Sequence, residues 1–139
     1  MKLSVKTDYA ARAVLGLAQH YPAGLALPAE TLAAAQGAPG KFLIQILVEL
    51  KAQGIVRSVR GMAGGYLLAR PPADITLADV LEAVDGPLFD APALSAKDCP
   101  AELRRAWKKL RQSLESAARA TTFQQLLEES AEKEKMYYI

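Results

Sequence analysis

The chain has 139 residues, 51% of them hydrophobic and 23% charged, with a formal net charge of +2. That length suits one compact domain, and the composition excludes a chain that stays disordered throughout. The longest apolar stretch, Phe42 to Leu50, is interrupted by Gln45 and Glu49 and falls short of the ~18 residues a membrane span needs.

Met1 to Tyr9 contains Lys2, Lys6 and Asp8 and so lacks an apolar secretory segment, which reads as a soluble, cytoplasmic protein. One cysteine, Cys99, and one histidine, His20, give no material for an internal disulfide, a zinc site or a nucleophile–base pair. No catalytic residue and no metal ligand set is expected, and the chain is not read as an enzyme.

In chain order, Asp8 caps a helix over Tyr9 to His20, whose apolar residues Ala10, Ala11, Val14, Leu17 and Ala18 fall on helical spacing. Pro28, suited to a first helical position, opens a short helix to Gln36 that Gly37 stops. A further helix starts near Pro39-Gly40 and runs to Gln53, with Phe42, Leu43, Ile46, Leu47 and Leu50 as its apolar stripe and Gly54 as its stop. Helix, short turn, helix is the helix-turn-helix pattern, although plain antiparallel helical hairpins share it.

The next two runs, Ile55 to Val59 and Gly65 to Ala69, flank Arg60-Gly61-Met62-Ala63-Gly64 and read as a β-hairpin with a glycine-rich tip. A helix-turn-helix followed by a hairpin is a winged helix. The wing carries Arg57 and Arg60, with Arg70 at its end, and no acid lies between Glu49 and Asp74. Glycines beside an arginine let backbone approach a phosphate while the guanidinium enters the minor groove, though the same glycines also serve a turn that needs positive φ. The charge agrees: residues 1–70 hold 8 Lys/Arg against 3 Asp/Glu, a net +5, while residues 71–139 hold 9 against 12, a net −3.

Four motifs in this order, Leu3 to Ala10, Gly54 to Gly61, Gly64 to Pro72 and Ile75 to Val80, make the chain resemble the bacterial winged-helix transcriptional regulators that include IscR, NsrR and CymR. The resemblance is close over residues 1–87 and looser beyond. It implies a homodimeric regulator of double-stranded DNA, mostly a repressor in such proteins. It also implies that Lys41, Phe42 and Gln45 face the major groove, that Arg60 and Gly61 occupy the minor groove, and that Gly64 and Gly65 shape the wing, where the acid-free charge makes Arg57 a further DNA-binding candidate. Many relatives have Tyr-Leu-Glu-Gln where this chain has Phe42-Leu43-Ile44-Gln45. The carboxylate that accepts from cytosine is gone, and Ile44 is left to pack on a thymine methyl or on protein.

Cluster-binding relatives also carry three cysteines in the loop after the helix that here spans Thr76 to Val84. This chain has Cys99 alone in that loop, so no cofactor is expected and an iron–sulfur cluster of the usual kind lacks its thiolates. Cys99 remains a candidate redox sensor.

In the acidic half, residues 88–100 read as the loop, and Leu103, Trp107, Leu110 and Leu114 draw an apolar seam along a helix from about Ala101 to Arg119. By resemblance this is the dimerisation helix. A shorter helix capped by Thr121 or Thr122 then runs to Leu127, and residues 128–139 form a charged tail, either a solvated helix end or a flexible segment, that finishes on Met136, Tyr137, Tyr138 and Ile139.

That tail and the missing cysteines are most similar to the cluster-free CymR branch, which represses cysteine metabolism together with cysteine synthase. The resemblance therefore implies that Tyr137, Tyr138 and Ile139 dock on that enzyme, with docking on the protein's own surface or on its dimer mate as the alternative. The expected fold class is mainly α with a small β-hairpin wing: a winged helix-turn-helix plus a long dimerisation helix. The competing readings are a redox or nitrosative-stress sensor using Cys99 or an atypical iron–sulfur cluster, and a protein-interaction module that does not bind DNA.

Overall fold

The structure is a computed structural model that describes residues 3–137. Helix α1 (Val5–His20) is followed by α2 (Ala29–Gln36), α3 (Gly40–Ala52), a hairpin of β1 (Val56–Val59) and β2 (Gly65–Leu68), then α4 (Leu77–Asp85), α5 (Ala101–Ala120) and α6 (Phe123–Tyr137). The strands pair antiparallel, Val56 opposite Leu68 and Val59 opposite Gly65. Mainly helical with one hairpin, the molecule has the expected winged-helix class.

Two helices and the extent of the core differ from the sequence expectation. Helix α1 begins four residues earlier than Tyr9, because Ser4 rather than Asp8 caps it: the Ser4 hydroxyl accepts from the Thr7 N–H at 3.1 Å. Thr7 is buried, and its hydroxyl and that of Ser4 both donate to the Asp85 carboxylate. Asp8 instead sits in the first turn, where its charge complements the helix N-terminus, and pairs with Arg12 at 3.0 Å.

Helix α6, expected to stop at Leu127, continues to Tyr137, with residues 128–136 exposed. Glu, Ala and Lys are strong helix formers that need no apolar face, so the solvated-helix alternative describes residues 128–137.

The core also crosses the expected boundary at residue 87. Leu17, Leu43, Ile46, Leu47, Leu50, Ile55, Leu68 and Ile75 pack in one cluster with Phe123, the first residue of α6, which is fully buried. Backbone bonds fix that junction. The Phe123 N–H donates to the Ile75 carbonyl and the Leu77 N–H to the Thr121 carbonyl, both at 3.0 Å. The core of residues 3–87 is thus completed by a side chain from the C-terminal segment.

Candidate nucleic-acid interface

Helix α3 divides into two interleaved faces. Leu43, Ile46, Leu47 and Leu50 are fully buried against α1 and α2, while Lys41, Ile44, Gln45 and Val48, at the same i, i+3, i+4, i+7 spacing, face solvent. Lys41 and Gln45 are therefore presented as the sequence predicts. Phe42 lies between the faces: its ring is half-buried, packed on the core, and meets Tyr9 edge-on with centroids 5.8 Å apart. It contributes an edge at most and serves chiefly to seat the start of α3 on α1.

The acid on α3 is withdrawn from this surface. Glu49 pairs with Lys6 of α1 at 2.7 Å. At the far end, Lys51 donates to the Ser58 hydroxyl at 2.7 Å and ties α3 to β1.

The wing is held against the body by a third short segment. Leu27 and Tyr66 exchange both backbone hydrogen bonds at 2.8 Å, so the loop before α2 pairs with β2. This explains Gly65: a Cβ there would overlap the Leu27 carbonyl, and on Gly64 it would overlap the carbonyls of Val59 and Gly61. Both glycines are required by close backbone approach within the protein, whatever else they meet. The tip closes with the Gly64 N–H donating to the Gly61 carbonyl at 3.0 Å, and Gly61 has φ +107°, which leaves Met62 and Ala63 at the apex, both exposed.

Arg57 and Arg60 are exposed, and neither they nor Lys41 enter an ion pair with a described residue. Arg70 is different. Its guanidinium donates to the Asp74 carbonyl at 3.3 Å and lies 3.9 Å from the Asp79 carboxylate, so it braces the start of α4 instead of extending the wing's free charge.

Elsewhere, the α5 seam is only partly covered by the described residues. Leu103 is 43% and Leu110 50% exposed, Trp107 is half-buried with its ring 6.4 Å from that of Phe89, and Leu114 lines an apolar recess of about 190 Å³ with Leu3, Leu81 and Leu88. Cys99 is half-buried just before α5, its Sγ 3.6 Å from the Pro100 carbonyl oxygen. Among the described residues no three His, Cys, Asp or Glu side chains come together to hold a metal ion, and Cys99 is the chain's single thiol. The donor set does not fit a cysteine-ligated cluster. Tyr138, Ile139 and the side chain of Tyr137, expected to bind a partner, lie outside the described residues. No described helix is long and apolar enough to cross a membrane.

Sequence reasoning passed over Val48, although its place four residues after Ile44, off the core stripe, was a readable signal. The withdrawal of Glu49 depends on Lys6, 43 residues away, and had no such signal, whereas the partners of Arg70, Asp74 and Asp79, lie close by in sequence.

Residues 3–129 match the model of the Rrf2 family, described as an iron-dependent transcriptional regulator. A Mycobacterium tuberculosis protein bearing the name HTH-type transcriptional regulator Rv1287 is 42% identical over 127 residues, covering 88% of this chain and 78% of its own. The HTH-type transcriptional regulator CymR of Bacillus subtilis is 28% identical over the full length of both chains. Among solved structures, T. potens IscR superposes with a TM-score of 0.80 at 30% identity over 99% of this chain and 97% of its own. CymR, the global cysteine regulator of B. subtilis, does so with a TM-score of 0.81 at 25% identity over 91% and 95%. With a helix-turn-helix, a braced wing and these likenesses over nearly its whole length, the chain belongs to the Rrf2 family of winged-helix transcriptional regulators.

Proposed function

We propose that this regulator acts in the cytoplasm as a homodimeric repressor of cysteine or sulfur metabolism genes, without a metal cluster and in concert with cysteine synthase. The observation that carries the DNA-facing part is the surface formed by Lys41, Gln45, Arg57 and Arg60: all four are exposed, the three cations have no ion-pair partner among the described residues, and the neighbouring Glu49 is neutralised by Lys6. Lys41 and Gln45 are assigned to the major groove and Arg60 with Gly61 to the minor groove, whose negative potential attracts arginine.

Pairing two half-sites suits a module that reads so few bases, and the partly covered seam of Leu103, Trp107, Leu110 and Leu114 supports α5 as the dimer contact. The metabolic assignment rests on the likeness to CymR and on the lone Cys99. Cysteine synthase is assigned to Tyr137, Tyr138 and Ile139. Met136, 80% exposed near the end of α6, supports this reading as an apolar side chain beside that segment left open to a partner.

The test is binding to native genomic fragments across a salt series. The intact protein should lose affinity with a log–log slope of about −0.9 per phosphate neutralised. Arg60→Ala should weaken specific binding markedly, and an unchanged affinity refutes the wing assignment. Recovery of cysteine synthase from cytoplasm by the full chain, and its loss when Ile139 is deleted, checks the partner in the same preparation.

A further inference from the structure

We propose that Ile44 and Val48 form an apolar reading surface for thymine methyl groups, so that the operator half-site contains two thymines whose methyls seat on α3. This rests on the DNA-binding reading above and deepens it by naming what α3 reads.

The two side chains are four residues apart on the solvent face of α3, 41% and 55% exposed, on a helix whose opposite face is completely buried. Both are β-branched, which costs helix propensity, and both leave apolar area in water; a lysine or glutamate would serve a merely solvated face better. No described residue buries either of them. The charge of this part of the chain is cationic: Lys41 stands one turn before Ile44 on α3, Arg57 and Arg60 are free on the wing that follows, and Glu49 is paired with Lys6. A polyanion is thus the occupant the charge selects.

On a duplex, the apolar feature in the major groove is the C5-methyl of thymine. Ile44 and Val48 lie about 6 Å apart along the helix axis, a span of roughly two base-pair steps at about 3.4 Å each. Gln45, beside Ile44 on the same face, can donate to N7 and accept from N6–H of an adenine, which gives the same A·T-rich half-site a hydrogen-bonding mark. With Glu49 withdrawn, α3 presents no carboxylate to accept from cytosine.

The experiment uses the full chain. Tight-binding duplexes are selected from a random pool, and the winners are then copied with deoxyuridine in place of thymidine, which removes the methyls and keeps every base hydrogen-bonding group. Affinity should fall about fourfold for each contacted methyl and about sixteenfold for two. The I44A/V48A double variant, checked for wild-type thermal unfolding, should bind the thymine and uracil duplexes alike while keeping the wild-type salt slope. Equal wild-type affinity for both duplexes overturns the proposal, and so does a thymine preference that survives in the double variant. Failure to enrich any duplex overturns the DNA-binding reading itself, a result separate from enriched duplexes that are indifferent to the methyl.

Discussion

Helices α1 and α5 are both amphipathic, and they fare differently. In α1, Ala10, Ala13, Val14, Leu17 and Ala18 are all buried, covered by α2, α3, α4, β2 and α6. In α5, four residues longer, Ala118 is the one buried residue, and the side chains that define its apolar stripe stand half in solvent with α4 and the turn at Pro92–Leu94 as neighbours. A stripe at helical spacing records that a face is to be covered. It does not record whether the cover comes from the same chain, and here only three-dimensional packing separates the two cases.

The largest test of this contrast is Phe123→Ala. Phe123 follows α5 in sequence yet belongs to the core beneath α1, so its removal should cost about 3–5 kcal/mol in denaturant unfolding of the whole chain, as for a buried aromatic elsewhere. A loss well under 1 kcal/mol would mean that residues 1–87 fold without the C-terminal segment. Next comes Leu110→Glu. Being half exposed in the single chain, this position should accept glutamate without unfolding, whereas a charge buried in a subunit contact should cost roughly 2 kcal/mol or more of association. Sedimentation should show a folded monomer with weakened DNA binding, and an unchanged dimer would remove α5 from the contact.

What the sequence made legible follows the same division. Gly37, Gly54 and the Gly61–Gly65 tip punctuate α2, α3 and the hairpin, and the apolar periods between them gave those elements to within a residue or two. Ser4 was missed because Thr7, a polar residue buried on a bond to Asp85, interrupts no apolar pattern that would have moved the helix start. The extension of α6 was missed because a charged helix has no stripe to read. On the candidate interface, the exposure of Lys41 and Gln45 follows from the period of α3, while the inward turn of Phe42 depends on Tyr9 and the bracing role of Arg70 on Asp74 and Asp79. Gly65 was legible as a wing residue, but its reason, the Leu27 backbone pressed against it, involves a segment too short to register as a strand.

The smallest expected effect lies where the two regions meet. Thr76 caps α4 in a reciprocal box: its hydroxyl accepts from the Asp79 N–H at 3.2 Å, and the Asp79 carboxylate accepts from the Thr76 N–H at 2.9 Å. The same residue bridges to Thr122 immediately before α6, and Asp79 also lies 3.9 Å from Arg70. Thr76→Ala removes one half of the box and leaves the main-chain bonds of the junction and the buried Phe123 in place. The cost should be about 1 kcal/mol of stability, recovered by Thr76→Ser, which keeps the hydroxyl. Because the α5 seam is untouched, the oligomeric state should not change. A shift in oligomeric state accompanying that small loss would mean that the junction sets the pose of α5, and that the covered and uncovered helices are coupled through α4.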